Sequence, residues 1–208
     1  GVWRSTMAEQ AVRPSDAAPG TPRWRTVDII VTAVLGVAFG VVFWAWSLLY
    51  SAFSPAFAAF PPGQAVMYGG WLLAAVVAPL IVRKPGAALF AELIGATVEA
   101  LLGSHFGTLV ILYGLLQGAA AEVGFALFRY KRFGWLQALL AAAFAGLAAV
   151  VLDFVNYYPD WTGGWKTTYL LLVVGSTVVI AGAGGMALTR ALAASGALSS
   201  FASGRSRV

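Results

Sequence analysis

The amino-acid sequence predicts an all-α integral membrane protein with six transmembrane helices. Of its 208 residues, 60% are hydrophobic and only 10% are charged, whereas an average soluble domain carries about 25% charged residues. A spanning helix needs about 20 mainly apolar residues. Six runs approach that length, at about 27–50, 65–82, 86–102, 106–128, 135–152 and 167–194.

Polar segments flank the predicted six-helix membrane domain, which we place at residues 23–196. Residues 1–22 are rich in Pro, Ala and Ser without apolar periodicity, and they predict a disordered N-terminal tail. Met7 is the expected natural start, with residues 1–6 as a remnant of cloning. Residues 197–208 predict a short C-terminal tail.

The basic residues predict the orientation of the helices. If six helices alternate in direction, one side of the membrane receives Arg23, Arg25, Arg83, Lys84, Arg129, Lys131, Arg132, Arg190, Arg205 and Arg207. The opposite side carries only Lys166. The positive-inside rule therefore predicts a multi-pass membrane protein with both termini in the cytoplasm.

Composition and missing motifs exclude several classes of function. The chain has no cysteine and one histidine, which excludes thiolate chemistry and multi-histidine metal sites, and we expect no cofactor. It has no phosphate-binding Gly-x-x-x-x-Gly-Lys-Ser/Thr loop and no serine nucleophile elbow, so we expect neither an ATPase nor another enzyme. The net charge of +5 resides in short loops and does not indicate nucleic-acid binding.

Three glutamates lie inside apolar runs, where a central ionised carboxylate costs about 2.5 to 3.5 kcal/mol. Glu92 and Glu99 are seven residues apart in the third helix and therefore share a face. Gln117 and Glu122 follow in the fourth helix, which is joined to the third by a short turn. The two helices together predict an acidic, hydrogen-bonding wall.

This wall has two interpretations. The glutamates either bond to hydroxyls, Gln117 or the backbone and only fix helix packing, or they bind a small cation or amine. Because Lys and Arg occur only near helix ends, we favour ligand binding. A self-sufficient proton-coupled transporter of an organic cation, with the glutamates as a proton relay, remains the alternative. An intramembrane enzyme is the weaker rival, because no nucleophile or metal set accompanies the glutamates.

Other residues also carry two interpretations each. The aromatic residues at the predicted outer ends form an interfacial belt or stack on a ligand: Trp44, Trp46, Tyr50, Tyr157, Tyr158, Trp161, Trp165 and Tyr169. His105 lies in the outer turn, either locally bonded or touching ligand. Gly36 and Gly40 allow close approach of a helix, either within the chain or from a partner subunit.

An ordered set of short motifs carries a family resemblance from about residue 24 to 194. The set is Val27-Asp28-Ile29-Ile30, Tyr68-Gly69-x-Trp71, Arg83-Lys84-Pro85-Gly86, Glu92, Glu99, Gly103 to Gly107, Gln117-Gly118, Glu122, and Phe128-Arg129-Tyr130-Lys131-Arg132. It resembles the YkoE-like substrate-binding S components of energy-coupling factor (ECF) ABC importers for thiamine or its hydroxymethylpyrimidine precursor. His105 departs from the glutamine that is usual there.

The resemblance implies a six-helix S-component bundle that captures thiamine or the pyrimidine from outside the cell. It implies a transmembrane coupling protein and cytoplasmic ATPase subunits as partners, with Gly36 and Gly40 on the docking surface. Carboxylates and aromatic faces suit a thiazolium cation and an aminopyrimidine. The expected ligand contacts are Glu92, Glu99, Glu122, Gln117, Trp46, Tyr50, Tyr68, Trp71 and His105.

Overall fold

The computed structural model describes residues 23–205, which form helices and connecting turns without a β-strand. The predicted all-α architecture is confirmed. The α-helices are α1 Thr26–Phe53, α2 Leu73–Val82, α3 Ala87–Leu101, α4 Leu109–Ala126, α5 Trp135–Asn156, α6 Gly163–Ser176, α7 Gly184–Ala194 and α8 Ala202–Arg205. The N-terminal tail predicted over residues 1–22 lies outside the described residues, as do residues 206–208.

Five continuous helical stretches in the described part of the chain are long and apolar enough to cross a membrane. They are Thr26–Phe57, Pro61–Val82, Leu109–Ala126, Trp135–Asn156 and Gly163–Ala194. The third predicted span is α3, which has 15 residues and contains the two glutamates that weaken its apolar character. It packs between α1 and α4, which shields its polar face from lipid. The count of six spans and the cytoplasmic termini remain predictions.

The second span begins as a long 3-10 helix, Pro61–Leu72, and continues as α2. Runs of more than three or four residues in this tight helix are uncommon, and hydrogen bonds to residues outside the helix hold this one. Gln64 Nε2 donates to the Tyr50 carbonyl at 2.7 Å. Gly69 N donates to Ser176 Oγ at 3.0 Å, and Ser176 Oγ donates to the Val66 carbonyl at 2.7 Å.

The last span, Gly163–Ala194, changes geometry near its middle, where Thr177–Ala183 is π-helical and joins α6 to α7. The start of this span lies four residues before the predicted boundary, because Thr162 caps the helix by accepting from Trp165 N. The π-helical segment packs against α5, where a Cβ at Gly146 would lie 2.5 Å from Thr177 Oγ1.

Glycines allow α1 and α4 to approach α3 closely. A Cβ at Gly36 would lie 2.7 Å from Ile94 Cβ, and a Cβ at Gly40 would lie 2.5 Å from Val98 Cβ. On the other side of α3, Gly118 packs against the Leu89 Cα, which a Cβ would approach to 2.8 Å. These small residues let α1 and α4 enclose α3.

The ends of two predicted elements differ from the structure. Helix α5 continues past the predicted end at residue 152 to Asn156, so Asp153 is helical and buried. The predicted C-terminal tail contains a folded segment, in which Leu198 and Phe201 are buried against Ile81 and Val82. The C-terminal segment buries apolar side chains against α2, whereas the extension of α5 contains Asp153, whose carboxylate is hydrogen-bonded by two phenols.

Candidate ligand-binding cavity

A cavity of about 210 Å³ lies among α1, the 3-10 helix, α3, α4, α5 and α6, at the end where α3 and α5 terminate. Its lining is mainly aromatic and acidic: Phe43, Tyr50, Tyr68, Trp71, Glu92, Ala96, Glu99, Phe106, Val110, Tyr113, Gly114, Gln117, Asp153, Tyr157, Tyr158 and Tyr169. Six of the residues predicted to contact ligand are therefore brought together here.

Glu92 is the most deeply buried acidic group of the cavity. It is 1% exposed, and neither carboxylate oxygen has a hydrogen-bond partner among the described residues. Buried polar groups are nearly always hydrogen-bonded, so an exception calls for an explanation. A cavity-lining carboxylate without a protein partner is able to accept hydrogen bonds from a bound molecule.

Glu99 lies two turns further along α3 and is held by a hydroxyl. Ser47 Oγ of α1 donates to Glu99 Oε1 at 2.5 Å, and Trp71 Nε1 donates to the same Ser47 Oγ at 2.9 Å. This chain fixes both the carboxylate and the indole ring that lines the cavity.

Asp153 provides a third carboxylate in the cavity lining, from α5. Tyr113 Oη donates to Asp153 Oδ1 at 2.6 Å, and Tyr169 Oη donates to Oδ2. The predicted fifth helix ended at residue 152, so Asp153 was not among the expected ligand contacts. The helical spacing of Asp153 with the apolar residues of 135–152 was the signal that would have found it.

Two further polar groups of the lining are bonded to each other. Gln117 Nε2 of α4 donates to Tyr68 Oη of the 3-10 helix at 3.3 Å, and both residues are buried. Tyr68 and Trp71 are three residues apart, which places them on one side of a helix with three residues per turn. Their rings meet edge to face with centroids 5.2 Å apart.

Aromatic rings close the end of the cavity. The Tyr50 ring centroid lies 5.0 Å from that of Trp71 and 6.0 Å from that of Phe106. The ring centroids of Tyr157 and Phe106 lie 6.2 Å apart. Burial, followed by the negative charge of Asp153, raises the pKa of both Tyr157 and Tyr158. Both phenols therefore stay neutral at physiological pH and are able to donate hydrogen bonds.

Glu122, expected as a ligand contact, lies outside the cavity lining. Its Oε1 accepts from Leu89 N at 3.1 Å, and its Oε2 accepts from Tyr130 Oη at 2.5 Å. Glu122 lies in the last turns of α4, near the loop that contains Tyr130. The carboxylate therefore joins α3, α4 and this loop, which is the packing role that the sequence left open for all three glutamates.

Trp46 and His105 also lie outside the lining. Trp46 Nε1 donates to the Met67 carbonyl at 2.8 Å, and its indole packs on Gly70. Trp46 therefore stabilises the 3-10 helix. His105 is exposed and contacts the edge of the Phe106 ring at 5.3 Å. Trp46 therefore packs against the 3-10 helix, and His105 contacts the cavity-lining Phe106. Neither side chain lines the cavity itself.

Gly36 and Gly40, expected on a partner-docking surface, are buried against α3. Of the two interpretations that the sequence left open, the structure places these glycines in internal packing. The α1 surface that remains exposed is formed by other residues, among them Val34, Val37 and Val41.

The charge of the cavity is one-sided. Glu92, Glu99 and Asp153 all line it, whereas the lining described contains no Lys, Arg or His. A positive ligand gains from the carboxylates in this low-dielectric site and from the faces of Trp and Tyr rings. The arrangement is suited to binding a cationic or amino-bearing ring, and the residues described show no group of three acidic or histidine side chains placed to hold a metal ion.

Comparison with known proteins places the chain among membrane transport components. Residues 27–148 match the family model described as an ABC-type cobalt transport system, permease component. The chain is 34% identical over 185 residues to the putative HMP/thiamine permease protein YkoE of Bacillus subtilis, covering 88% of this chain and 91% of that protein. A crystal structure of an S-component of an ECF transporter superposes with a TM-score of 0.84 at 31% identity, covering 88% of this chain and 92% of that one.

Proposed function

Because the chain belongs to the family of ABC-transport permease components that includes YkoE and an ECF S-component, we propose that it captures thiamine or hydroxymethylpyrimidine. The role of substrate-binding subunit follows from this membership. The ligand is the further step, and the observation that carries it is Glu92, a buried carboxylate in an aromatic cavity with no hydrogen-bond partner among the described residues.

The chemistry of both molecules fits the polar groups of the cavity. Each contains an aminopyrimidine, whose amino group donates hydrogen bonds and whose ring nitrogens accept them or carry a proton. Glu92 is able to accept from the amino group, and Gln117 offers both a donor and an acceptor. Thiamine adds a thiazolium cation, which the Glu99 and Asp153 carboxylates and the Trp71 ring favour.

The family description names cobalt, but the cavity supports an organic ligand. Most of its lining residues are aromatic or apolar, and such walls bury the flat faces of a ring and add dispersion contacts. A cobalt ion gains little from such walls, since divalent first-row metals bind through oxygen, nitrogen or sulfur ligands. This favours the aromatic amine over a metal ion as the molecule bound.

We propose that ligand enters from outside the cell, and that a transmembrane coupling protein and cytoplasmic ATPase subunits complete the importer. The support for this orientation is the charge pattern. Arg83, Lys84, Arg129, Lys131 and Arg132 lie in the loops at the end away from the cavity. In this orientation the aromatic end of the cavity faces the exterior.

The test is direct binding of thiamine and of hydroxymethylpyrimidine to purified protein in detergent, measured by calorimetry. Glu92→Gln and Glu99→Gln each remove one charge-assisted acceptor, a change of about 1.5 to 3 kcal/mol, so we expect affinity to fall about tenfold or more. Glu122→Gln is the matched control outside the cavity and should bind as the wild type does.

Equal affinity of all three variants and the wild type would remove the glutamates from the site. Failure of the wild type to bind either molecule, together with a different organic amine identified by mass spectrometry of the purified protein, would keep the cavity but replace the ligand. Uptake by this chain alone, abolished by an uncoupler, would favour a self-sufficient transporter instead.

A further inference from the structure

A second cavity lies at the end of the bundle that carries the basic loops. Helix α5 begins beside this cavity, and its C-terminal part lines the ligand cavity with Asp153. At 1.5 Å per residue, α5 separates the two cavities by about 30 Å. This second cavity, here called the basic cavity, encloses about 480 Å³. Its lining is apolar apart from two arginines and two hydroxyl residues: Leu80, Arg83, Phe133, Gly134, Met186, Thr189, Arg190, Ala193, Ala194, Ser203 and Gly204.

Arg83 carries a charge that the described chain does not neutralise. Its Nε is buried without a hydrogen-bond partner, and its Cζ lies 5.7 Å from the centroid of the Phe133 ring. Among residues 23–205 the ion pair within 4 Å is Arg25–Asp28, so no described carboxylate pairs with Arg83. Burial lowers the pKa of the Arg83 guanidinium, which is the effect of losing water without gaining an anion.

Arg190 supplies a second guanidinium from α7, over the indole of Trp135 at 5.3 Å. The two hydroxyls of the lining are already used. Thr189 Oγ1 donates to the Gly185 carbonyl at 2.8 Å, and Ser203 Oγ donates to the Ile81 carbonyl at 2.9 Å. The unused donors of the basic cavity therefore belong to its two arginines.

We propose that the basic cavity binds the phosphate group of an anionic phospholipid. Arginine presents a fork of N–H donors that matches phosphate oxygens, and basic pockets between membrane helices bind anionic headgroups. The cavity lies where α2 ends and α5 begins, which is headgroup depth for a spanning helix. Its apolar lining, with Leu80 and Met186, suits the glycerol and upper acyl carbons.

The chain's own C-terminus is the competing occupant, because Ser203 and Gly204 line the cavity. The sequence that follows contains Arg205 and Arg207 and no acidic side chain. The two guanidinium groups of the lining, Arg83 and Arg190, favour a phosphate over a basic segment.

The experiment is native mass spectrometry of the full chain in dodecyl maltoside, titrated with phosphatidylglycerol, phosphatidylcholine or inorganic phosphate. We expect one saturable phosphatidylglycerol site that phosphatidylcholine fills more weakly. Arg83→Gln and Arg190→Gln should each weaken it about fivefold, since one basic residue near anionic lipid contributes about 1 kcal/mol. Arg23→Gln is the matched control, because Arg23 is exposed at the same end and lies outside the cavity lining.

Thiamine binding and thermal unfolding, measured on the same samples, separate this proposal from the function of the ligand cavity. Arg190 is exposed, so Arg190→Gln decides the test if Arg83→Gln does not fold. Inorganic phosphate that binds alone and is lost in both variants supports the phosphate site but overturns the lipid as its source. Equal phosphatidylglycerol binding by the wild type, Arg190→Gln and Arg23→Gln overturns the proposal.

Discussion

The hydroxyl of Ser47 donates a 2.5 Å hydrogen bond to Glu99 Oε1 and so ties α1 to the acidic face of α3. Ser47 Oγ also accepts a hydrogen bond from Trp71 Nε1. One small side chain in the first helix thus positions both an acidic and an aromatic group of the ligand cavity. Because its position depends on the close approach of α1 and α3, helix packing and ligand contact are linked at this residue.

Replacing Ser47 by alanine should weaken ligand binding. The substitution removes the Ser47 donor from Glu99 Oε1 and the acceptor from Trp71 Nε1, and such a buried loss costs about 1 to 3 kcal/mol. We expect a thiamine affinity about five- to a hundredfold lower by calorimetry. Ser51→Ala, one turn further along α1, is the control, because the buried Ser51 Oγ has no hydrogen-bond partner. Equal effects of the two substitutions would contradict the assignment.

Replacing Asp153 by asparagine should lower both stability and affinity. Asp153 accepts from two phenols, Tyr113 and Tyr169, whereas an asparagine has one acceptor oxygen and turns an N–H toward the other phenol. We expect a loss of about 1 to 3 kcal/mol in unfolding free energy, measured as a lower Tm in detergent. Asp160→Asn, in an exposed loop, should leave the Tm unchanged, and a shared decrease would count against the buried network.

Tryptophan fluorescence should distinguish two indoles that the sequence treated alike. Trp71 lines the ligand cavity, whereas Trp46 packs behind it on Gly70. Ligand stacked on an indole changes its emission, so Trp71→Phe should remove most of the ligand-induced change. Trp46→Phe should retain it. The reverse outcome would place the ligand elsewhere.

The contact between α1 and α3 should tolerate no added side-chain atoms. A Cβ at Gly40 would lie 2.5 Å from Val98 Cβ and 2.9 Å from the Gly95 carbonyl oxygen, so Gly40→Ala forces the helices apart. We expect a loss of about 1 to 3 kcal/mol, read as a lower Tm. Gly175→Ala is the control, because a Cβ there meets nothing within 4 Å. Unchanged Tm in Gly40→Ala, with loss of co-purification with a coupling protein, would restore Gly40 to a docking surface.

Much of the fold is readable from the sequence because bilayer physics constrains it. Long apolar runs bounded by basic loops predicted the helices, and the seven-residue spacing of Glu92 and Glu99 predicted that they share a helix face. In the structure both residues line the cavity. The predicted resemblance to ECF S components is confirmed by the relative and by the solved structure. These features depend on local composition and helical periodicity, which one sequence contains.

The remaining site residues depend on contacts that one sequence does not contain. Glu122 has the same setting in an apolar run as Glu92, but only the fold shows that Tyr130 Oη and Leu89 N already occupy its oxygens. Asp153 looks like the start of a loop, yet the phenols of Tyr113 and Tyr169 allow it to stay inside α5. Partners distant in sequence decide which polar residue is free to meet a ligand.

The 3-10 geometry of Pro61–Leu72 has a consequence for how this span tolerates sequence change. Twelve residues at about 2.0 Å each extend about 6 Å further than the same residues would as an α-helix. Each residue also turns the chain by about 120°, so deleting one between Pro61 and Tyr68 would swing the Tyr68 phenol a third of a turn away from Gln117. Length and angular register are therefore fixed together in this segment, and substitutions should be accepted there far more readily than insertions or deletions.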